Sequence, residues 1–325
     1  MADVLTVTLN PALDVSASTP GVRPTSKLRC DEVQRHPGGG GINVARVLHR
    51  LGVDCIAVGL LGGPSGKMVS QVLEEEGVSG LPVAIGGHTR ESFHIRDTRD
   101  RQEYRFVLPG PEIHAQELDA LMGVLALQPP PLFVVVSGSV PPGVPADFYA
   151  RLAQTARAWG ARLVLDGSGP PLEAGLGKGV YLVKPSLREI REVTGLELGN
   201  LAAVRDAAFA WIAARKAEVV VVSLGERGAL LVGRSQVLFS PAMAVTVVSA
   251  VGAGDSFVAG MVCRLVQGTE MADAFRHGVA VASAALKSSG TGLCAVEDVM
   301  RLLPQVVVRE PSVDELNFPL DDKSS

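Results

Sequence analysis

Aromatic residues, cysteines and surplus positive charge are all scarce in this chain of 325 residues. Aromatics make up 4%, and the four cysteines, Cys30, Cys55, Cys263 and Cys294, show neither a C-x-x-C pair nor the histidine spacing of a zinc site. That excludes a disulfide framework and reads as reduced thiols in a cytoplasmic protein. The six histidines, His36, His49, His88, His94, His114 and His277, lack nucleophile or metal spacing. Thirty basic residues against 34 acidic ones give a net charge of −4, which excludes a general electrostatic footprint for nucleic acid or membrane. Any anion site must be local. No apolar run reaches membrane-spanning length, and the start of the chain carries no basic stretch of the secretory type.

What is present is small and apolar: 47% hydrophobic residues, 36 glycines and 21 prolines. A chain this long buries a large core without a metal or disulfide. Short β-branched runs at 4–9, 55–60, 132–137, 162–166, 180–183 and 219–223 alternate with helical spacing at 41–51, 68–76, 115–127, 146–159 and 201–216. Continuous apolar strands separated by helices predict an α/β fold, a mainly parallel sheet with helices on both faces. Helical spacing returns at 255–266, 271–287 and 296–303, and no internal repeat is visible.

Segments 27–35 and 91–107 break this rhythm and read as exposed strands, the second a hairpin turning near Arg99-Asp100. They predict a small inserted β-lid, although an edge extension of the main sheet fits the same pattern. The expected division is a body of 1–12, 36–86 and 111–309, a lid of 13–35 and 87–110, and a flexible polar tail at 310–325.

Three glycine-rich turns carry chemistry. Val251-Gly252-Ala253-Gly254-Asp255-Ser256 opens a helix, where bare backbone N–H groups and the helix dipole make an anion site. Asp255 beside it suits a general base for a substrate hydroxyl, and equally suits a helix N-cap. Pro37-Gly38-Gly39-Gly40-Gly41-Ile42-Asn43 offers bare peptide to a polar ligand, with Asn43 as donor and acceptor. It fails as a dinucleotide fingerprint, reading G-x-G-x-x-N with no buried strand before it, and Gly66-Lys67 fails as a P-loop. Ser137-Gly138-Ser139-Val140-Pro141-Pro142-Gly143 follows a strand, where open α/β sheets bind ligands. Lys27, Arg29, Arg90, Arg101 and Arg105 fall in or beside the lid, placed either to grip a phosphate or to solvate edge strands.

These motifs in this order resemble the PfkB (ribokinase-like) family of sugar kinases, over roughly residues 4–300. Thr8-Leu9-Asn10-Pro11-Ala12-Leu13-Asp14, the run from Gly38 to Arg46, and Gly138-Ser139-Val140-Pro141-Pro142-Gly143 are similar to the branch acting on phosphorylated ketohexoses. Lys27-Leu28-Arg29-Cys30, Tyr104-Arg105-Phe106-Val107-Leu108-Pro109-Gly110 and Gly290-Thr291-Gly292-Leu293-Cys294 are similar to its fructose 6-phosphate kinases. The resemblance implies a 6-phosphofructokinase that uses ATP and Mg²⁺, with Asp255 as base and the N–H groups of Gly252, Ala253 and Gly254 as anion hole. It implies Asp14, Gly39 and Asn43 on the sugar hydroxyls. Lys27, Arg90 and Ser139 would hold the substrate's existing phosphate, helped by Arg29 and Arg105. Lys184, Ser223, Gly225, Gly228 and Ser288 would hold the nucleotide, and Glu189 would order Mg²⁺ through water. Loops at Ser249 and Gly290 are where some members bind K⁺, and members often pair through their lids into a homodimer.

One departure stands out. The family's N-x-x-E signature reads Ser186-Leu187-Arg188-Glu189, so Glu189 is kept and Asn has become Ser. Tagatose-6-phosphate kinase and fructose-1-phosphate kinase share these loops and remain alternatives. A non-catalytic sugar-phosphate sensor is disfavoured by the intact Gly252–Asp255 turn, and a nicotinamide dehydrogenase by the failed fingerprint.

Overall fold

The computed structural model describes residues 2–320. Thirteen strands form along this stretch: β1 (Val4–Thr8), β2 (Ala12–Thr19), β3 (Asp31–Gly38), β4 (Cys55–Leu61), β5 (Ser79–Ala84), β6 (Arg90–Asp97), β7 (Glu103–Val107), β8 (Phe133–Ser137), β9 (Arg162–Asp166), β10 (Val180–Val183), β11 (Val219–Ser223), β12 (Ala229–Val232) and β13 (Val237–Ser240). The helices are α1 (Gly40–Arg50), α2 (Gly63–Glu75), α3 (Ala115–Ala126), α4 (Phe148–Ala158), α5 (Gly169–Gly175), α6 (Leu187–Thr194), α7 (Leu201–Ala213), α8 (Ala253–Val266), α9 (Met271–Ala285), α10 (Val296–Leu302) and α11 (Val313–Leu316). Among the described residues no helix is long and apolar enough to cross a membrane.

Nine strands make the main sheet, in the order β13-β12-β11-β10-β9-β8-β1-β4-β5. All its pairings are parallel except those of β12 with β11 and β13. The two-residue period of a strand splits its side chains between two cores. Phe133 and Val135 of β8 join α1, α8 and α9 on one face, while Val134 and Val136 join α3, α4 and α7 on the other. This is the predicted α/β architecture, and it sets the C-terminal ends of β1, β8, β9 and β10 side by side.

The second sheet has four strands, in the order β3-β2-β6-β7. It is separate from the main sheet, which decides for a lid against an edge extension. β2 lies parallel to β6, with Ala12 opposite Arg90 and Thr19 opposite Asp97. Its first strand differs from the predicted 27–35: β3 starts at Asp31 and runs on into the glycine-rich loop. At its end Gly38 lies so close to Asp14 that a Cβ there would sit 2.2 Å from its Oδ2.

The expected flexible tail is corrected by the structure. Leu320 is buried in the core beside α7, and its carbonyl accepts from Arg191 at 2.9 Å. Glu315 pairs with Arg309 and caps α11 with Ser312. Burial of Leu320 and backbone partners tie the segment to the body, although most of its side chains are exposed. Residues 321–325 lie outside the described part.

Candidate active site

Asp255 occupies the third position of α8, whose N-cap is Gly252 in the left-handed conformation at φ 73°. Asp255 is therefore not the cap. Its carboxylate accepts instead from Asn43 Nδ2 at 2.9 Å and from Ser137 Oγ at 3.2 Å, which join three separate chain segments at one point. Ser137 reaches it because β8 ends there, and α1 brings Asn43 because Gly40 lets the helix start directly on that strand end. A Cβ on Gly40 would lie 2.3 Å from Ser137 Oγ.

Next to Ser137, β9 ends in Asp166, and Lys184 follows β10; their ion pair measures 3.0 Å. Burial, and secondarily the charge of Asp166, pushes Asp255 up to about 6 against the pull of Asn43, Lys184 and Ser137. For Lys184 burial opposes the charged form, yet Asp166, Glu189 and Asp255 outweigh it and raise its pKa. A Cβ on Gly254 would lie 3.3 Å from Lys184 Nζ, so this ammonium stands at the first turn of α8. The first-turn N–H groups of Gly254 and Asp255 have no carbonyl four residues back within the helix, whereas Ala253 N donates to Ala250 O at 3.4 Å. The arrangement combines an ionisable carboxylate, open N–H groups and a buried cation, which is what a phosphoryl-transfer site needs.

Glu189 sits in a capping box: its Oε2 accepts from Ser186 N at 2.7 Å, and Ser186 Oγ accepts from Glu189 N at 3.2 Å. Ser186 is thus the N-cap of α6, a role for which Ser and Asn are equally suited. Ser223 forms a parallel bridge with Ser186, and the turn through Gly225 and Gly228 follows, closed by Gly228 N donating to Gly225 O at 3.1 Å. Ser288 lies in the loop after α9, two residues before Gly290.

At the opposite end of the cleft Asp14 is buried on β2, with His94 Nε2 at 3.8 Å from its Oδ1. Gly39 caps α1 beside it. Asn10 joins Arg90 to Ser139, accepting from Arg90 Nη2 at 3.2 Å through its carbonyl and donating to Ser139 Oγ at 3.0 Å through its amide. Arg90 Nε is buried without a protein partner.

Lys27 and Arg29 are not brought to Arg90 within the chain. The Arg29 carbonyl is held by Thr19, seven register steps along β2 from the Ala12–Arg90 pair, or about 23 Å of strand. Arg105, opposite His94 on β7, is exposed. Ser249 and Gly290 both lie where the small sheet meets the body, Ser249 Oγ against Glu103 of β7 and Gly290 against Ser16 of β2.

Sequence reasoning missed Ser137, Asp166 and Asn10 as site residues. The signal was available for Ser137 and Asp166, each the polar end of an apolar strand. A fourth missed residue is Arg46, fully buried on α1. Its guanidinium grips Glu76 at 2.6 and 2.7 Å and donates to the carbonyls of Pro37 at 3.0 Å and Thr291 at 3.1 Å.

Residues 5–298 match the pfkB family of carbohydrate kinases. The chain belongs to that family. This kinase is 43% identical over 302 residues to the ATP-dependent 6-phosphofructokinase isozyme 2 of Mycobacterium tuberculosis, covering 92% of this chain and 88% of the relative. A 1-phosphofructokinase of Xanthomonas campestris is 35% identical over 310 residues, covering 94% and 97%. Among solved structures, phosphofructokinase-2 of Escherichia coli in complex with potassium superposes with a TM-score of 0.89 at 36% identity, covering 94% of this kinase and 99% of that chain. The same enzyme has been solved with fructose-6-phosphate, at a TM-score of 0.87 and the same identity and coverage, and in a tetrameric inhibited form.

Proposed function

We propose that this kinase transfers the γ-phosphoryl group of ATP to the 1-hydroxyl of fructose 6-phosphate, giving fructose 1,6-bisphosphate. The observation that carries the reading is Asp255: a half-buried carboxylate with a pKa pushed up to about 6, held by Asn43 and Ser137 at the first turn of α8. Such a group is ionised at neutral pH and basic enough to take the hydroxyl proton as that oxygen attacks phosphorus. Each carboxylate oxygen keeps a second lone pair for the substrate. The N–H groups of Gly252, Ala253 and Gly254 receive the charge on the moving phosphoryl group.

The remaining residues divide between two ends. Asp14, Gly39 and Asn43 hold the sugar hydroxyls, and Arg90 with Ser139 holds the 6-phosphate, the unpartnered Arg90 Nε supplying a free donor. Lys184, Ser223, Gly225, Gly228 and Ser288 hold ATP. Mg²⁺ fits the oxygen donors near Lys184, because it is commonly held by one or two carboxylates, waters and substrate phosphates. Glu189 would hold it through water, and the ion would neutralise phosphate charge. Ser249 and Gly290 form the loops of a K⁺ site.

The kinase acts as a homodimer through the lid. Leu28, Val33, Phe106, Val107 and Leu108 of the small sheet and its connections are all exposed, an apolar surface suited to a second copy. The distance of Lys27 and Arg29 from Arg90 leaves them to serve the partner's site.

The sugar is the finer question. Greater identity to a 6-phosphofructokinase than to a 1-phosphofructokinase favours fructose 6-phosphate. ADP release measured with fructose 6-phosphate, fructose 1-phosphate and tagatose 6-phosphate tests it, with NAD reduction as a control. The highest kcat/KM should fall on fructose 6-phosphate; a higher value for either other sugar overturns the assignment.

A further inference from the structure

The small sheet touches the body at a place that none of the substrate assignments uses. Glu103 opens β7, opposite Arg96 of β6. Paired residues share a face of a sheet, so Glu103 lies on the same side as His94, Ser92, Ser16 and Asp14, the side turned toward the sugar site. Both Glu103 carboxylate oxygens stand 3.1 Å from Ser249 Oγ, which donates to them. Ser249 is buried on the body, three residues before Gly252, and its Oγ also accepts from Val251 N at 3.3 Å. One hydroxyl thus joins a lid carboxylate to the backbone that leads into the anion hole. A neighbouring close approach seats the lid independently: a Cβ on Gly290 would lie 3.1 Å from the Ser16 Cβ.

We propose that Glu103 is a positioning residue that latches the lid to the Ser249 hydroxyl and thereby sets the Gly252–Asp255 turn for phosphoryl transfer. Glu103 touches no reacting atom. Its carboxylate fixes the Ser249 hydroxyl rotor, directing the hydrogen at the lid and leaving a lone pair for the Val251 N–H. Seating of the lid over the sugar is then felt at the N–H groups that face the nucleotide. The catalytic half of this inference rests on the kinase function proposed above, and the structural half does not.

Hydrogen exchange of the full-length protein, read on peptides covering 247–256, tests the structural half without turnover. Glu103→Ala should speed exchange there by about fivefold or more, since an opened hydrogen bond exposes the amides it protected. Glu103→Gln, whose side-chain oxygen still accepts from Ser249, should recover most of the protection. In the kinase assay Glu103→Ala should lower kcat by about tenfold with a smaller change in the sugar KM, and Glu103→Gln should restore most of it. Ser249→Ala should match Glu103→Ala, and the double variant should be no worse than either single one. Unchanged exchange at 247–256 in Glu103→Ala, or fully additive losses in the double variant, overturns the latch. A wild type that phosphorylates none of the three sugar phosphates would sink the function and leave the exchange result to decide the latch.

Discussion

The body and the lid hold their functional side chains by different means. Around Asp255 every polar group is tied to another by the main chain's own order: β8 ends in Ser137, β9 in Asp166 and β10 leads to Lys184, and all are buried or nearly so. In the four-stranded sheet the inner strands β2 and β6 are so fixed, with Asp14 and Arg90 buried or half-buried at one end and Asp97 buried at the other, while β3 and β7 are exposed over most of their length. The polar cluster around Asp255 is therefore preorganised in the body. On the function proposed above, substrate grip in the lid would depend on closure and on a second copy.

The largest expected effect lies in the body. Asp255→Asn should lower kcat by about 10²- to 10⁴-fold while sugar phosphate binding, read by calorimetry, survives. Near-normal turnover would make the preorganised carboxylate irrelevant. The same substitution has a stability consequence. Because the native state raises the Asp255 pKa to about 6, the carboxyl favours folding below its unfolded pKa near 4, and this contribution is lost as pH rises through 6. Asp255→Asn should thus melt higher than wild type at pH 8 and show no such advantage at pH 4.

Arg90→Ala comes next. Loss of a charge-assisted phosphate contact costs about 1.5 to 3 kcal/mol, so the sugar phosphate KM should rise about 10- to 150-fold with little change for ATP. Equal losses for both ligands would erase the division of labour between lid and body. A medium effect is expected on the lid's outer surface: Phe106→Asp should convert the proposed homodimer to monomer by light scattering. A protein already monomeric before the change would leave Lys27 and Arg29 without the role assigned to them.

Two smaller effects probe the body's electrostatics. The acid limb of kcat should fall near pH 6, and Asp166→Asn should move it to lower pH by removing the second cause of the Asp255 shift. An unmoved limb would assign it to another group. Glu189→Gln should raise the Mg²⁺ concentration for half-maximal rate a few-fold, whereas Ser186→Asn should leave the fold intact, since Asn caps a helix as well as Ser. Unchanged metal demand in both variants would confine this segment to capping α6.

The alternation of apolar strands and helices was legible in the sequence because the inner strands of the parallel sheet are buried on both faces. β5 was not, since Gly80 and Pro82 weaken the strand pattern and are tolerated where β5 forms the sheet edge. The β12–β13 hairpin was missed because two four-residue strands give too short a pattern to count. Glycine turns announced the helix starts of α1 and α8, as close backbone approach leaves a mark in composition. Asp166 left only the mark of a polar strand end and Asn10 none, because their place beside the other residues depends on which strands become neighbours. The tail misled for a related reason: its polar composition hides Leu320, whose partners are more than a hundred residues away.

Arg46 bears on how the chain is made as well as on how it works. Its bond to the Thr291 carbonyl spans 245 residues, and Arg50 donates to Gly292 and Cys294 across similar distances. During synthesis from the N-terminus, α1 is available long before these carbonyls leave the ribosome. A nascent chain ending before residue 291 has a guanidinium destined for full burial and lacks one of its acceptors, so the glycine-rich loop cannot settle early. Ordering of the glycine-rich loop should thereby be deferred until residues 291–294 have emerged, and nascent chains halted before that point should expose α1 to protease while longer ones protect it.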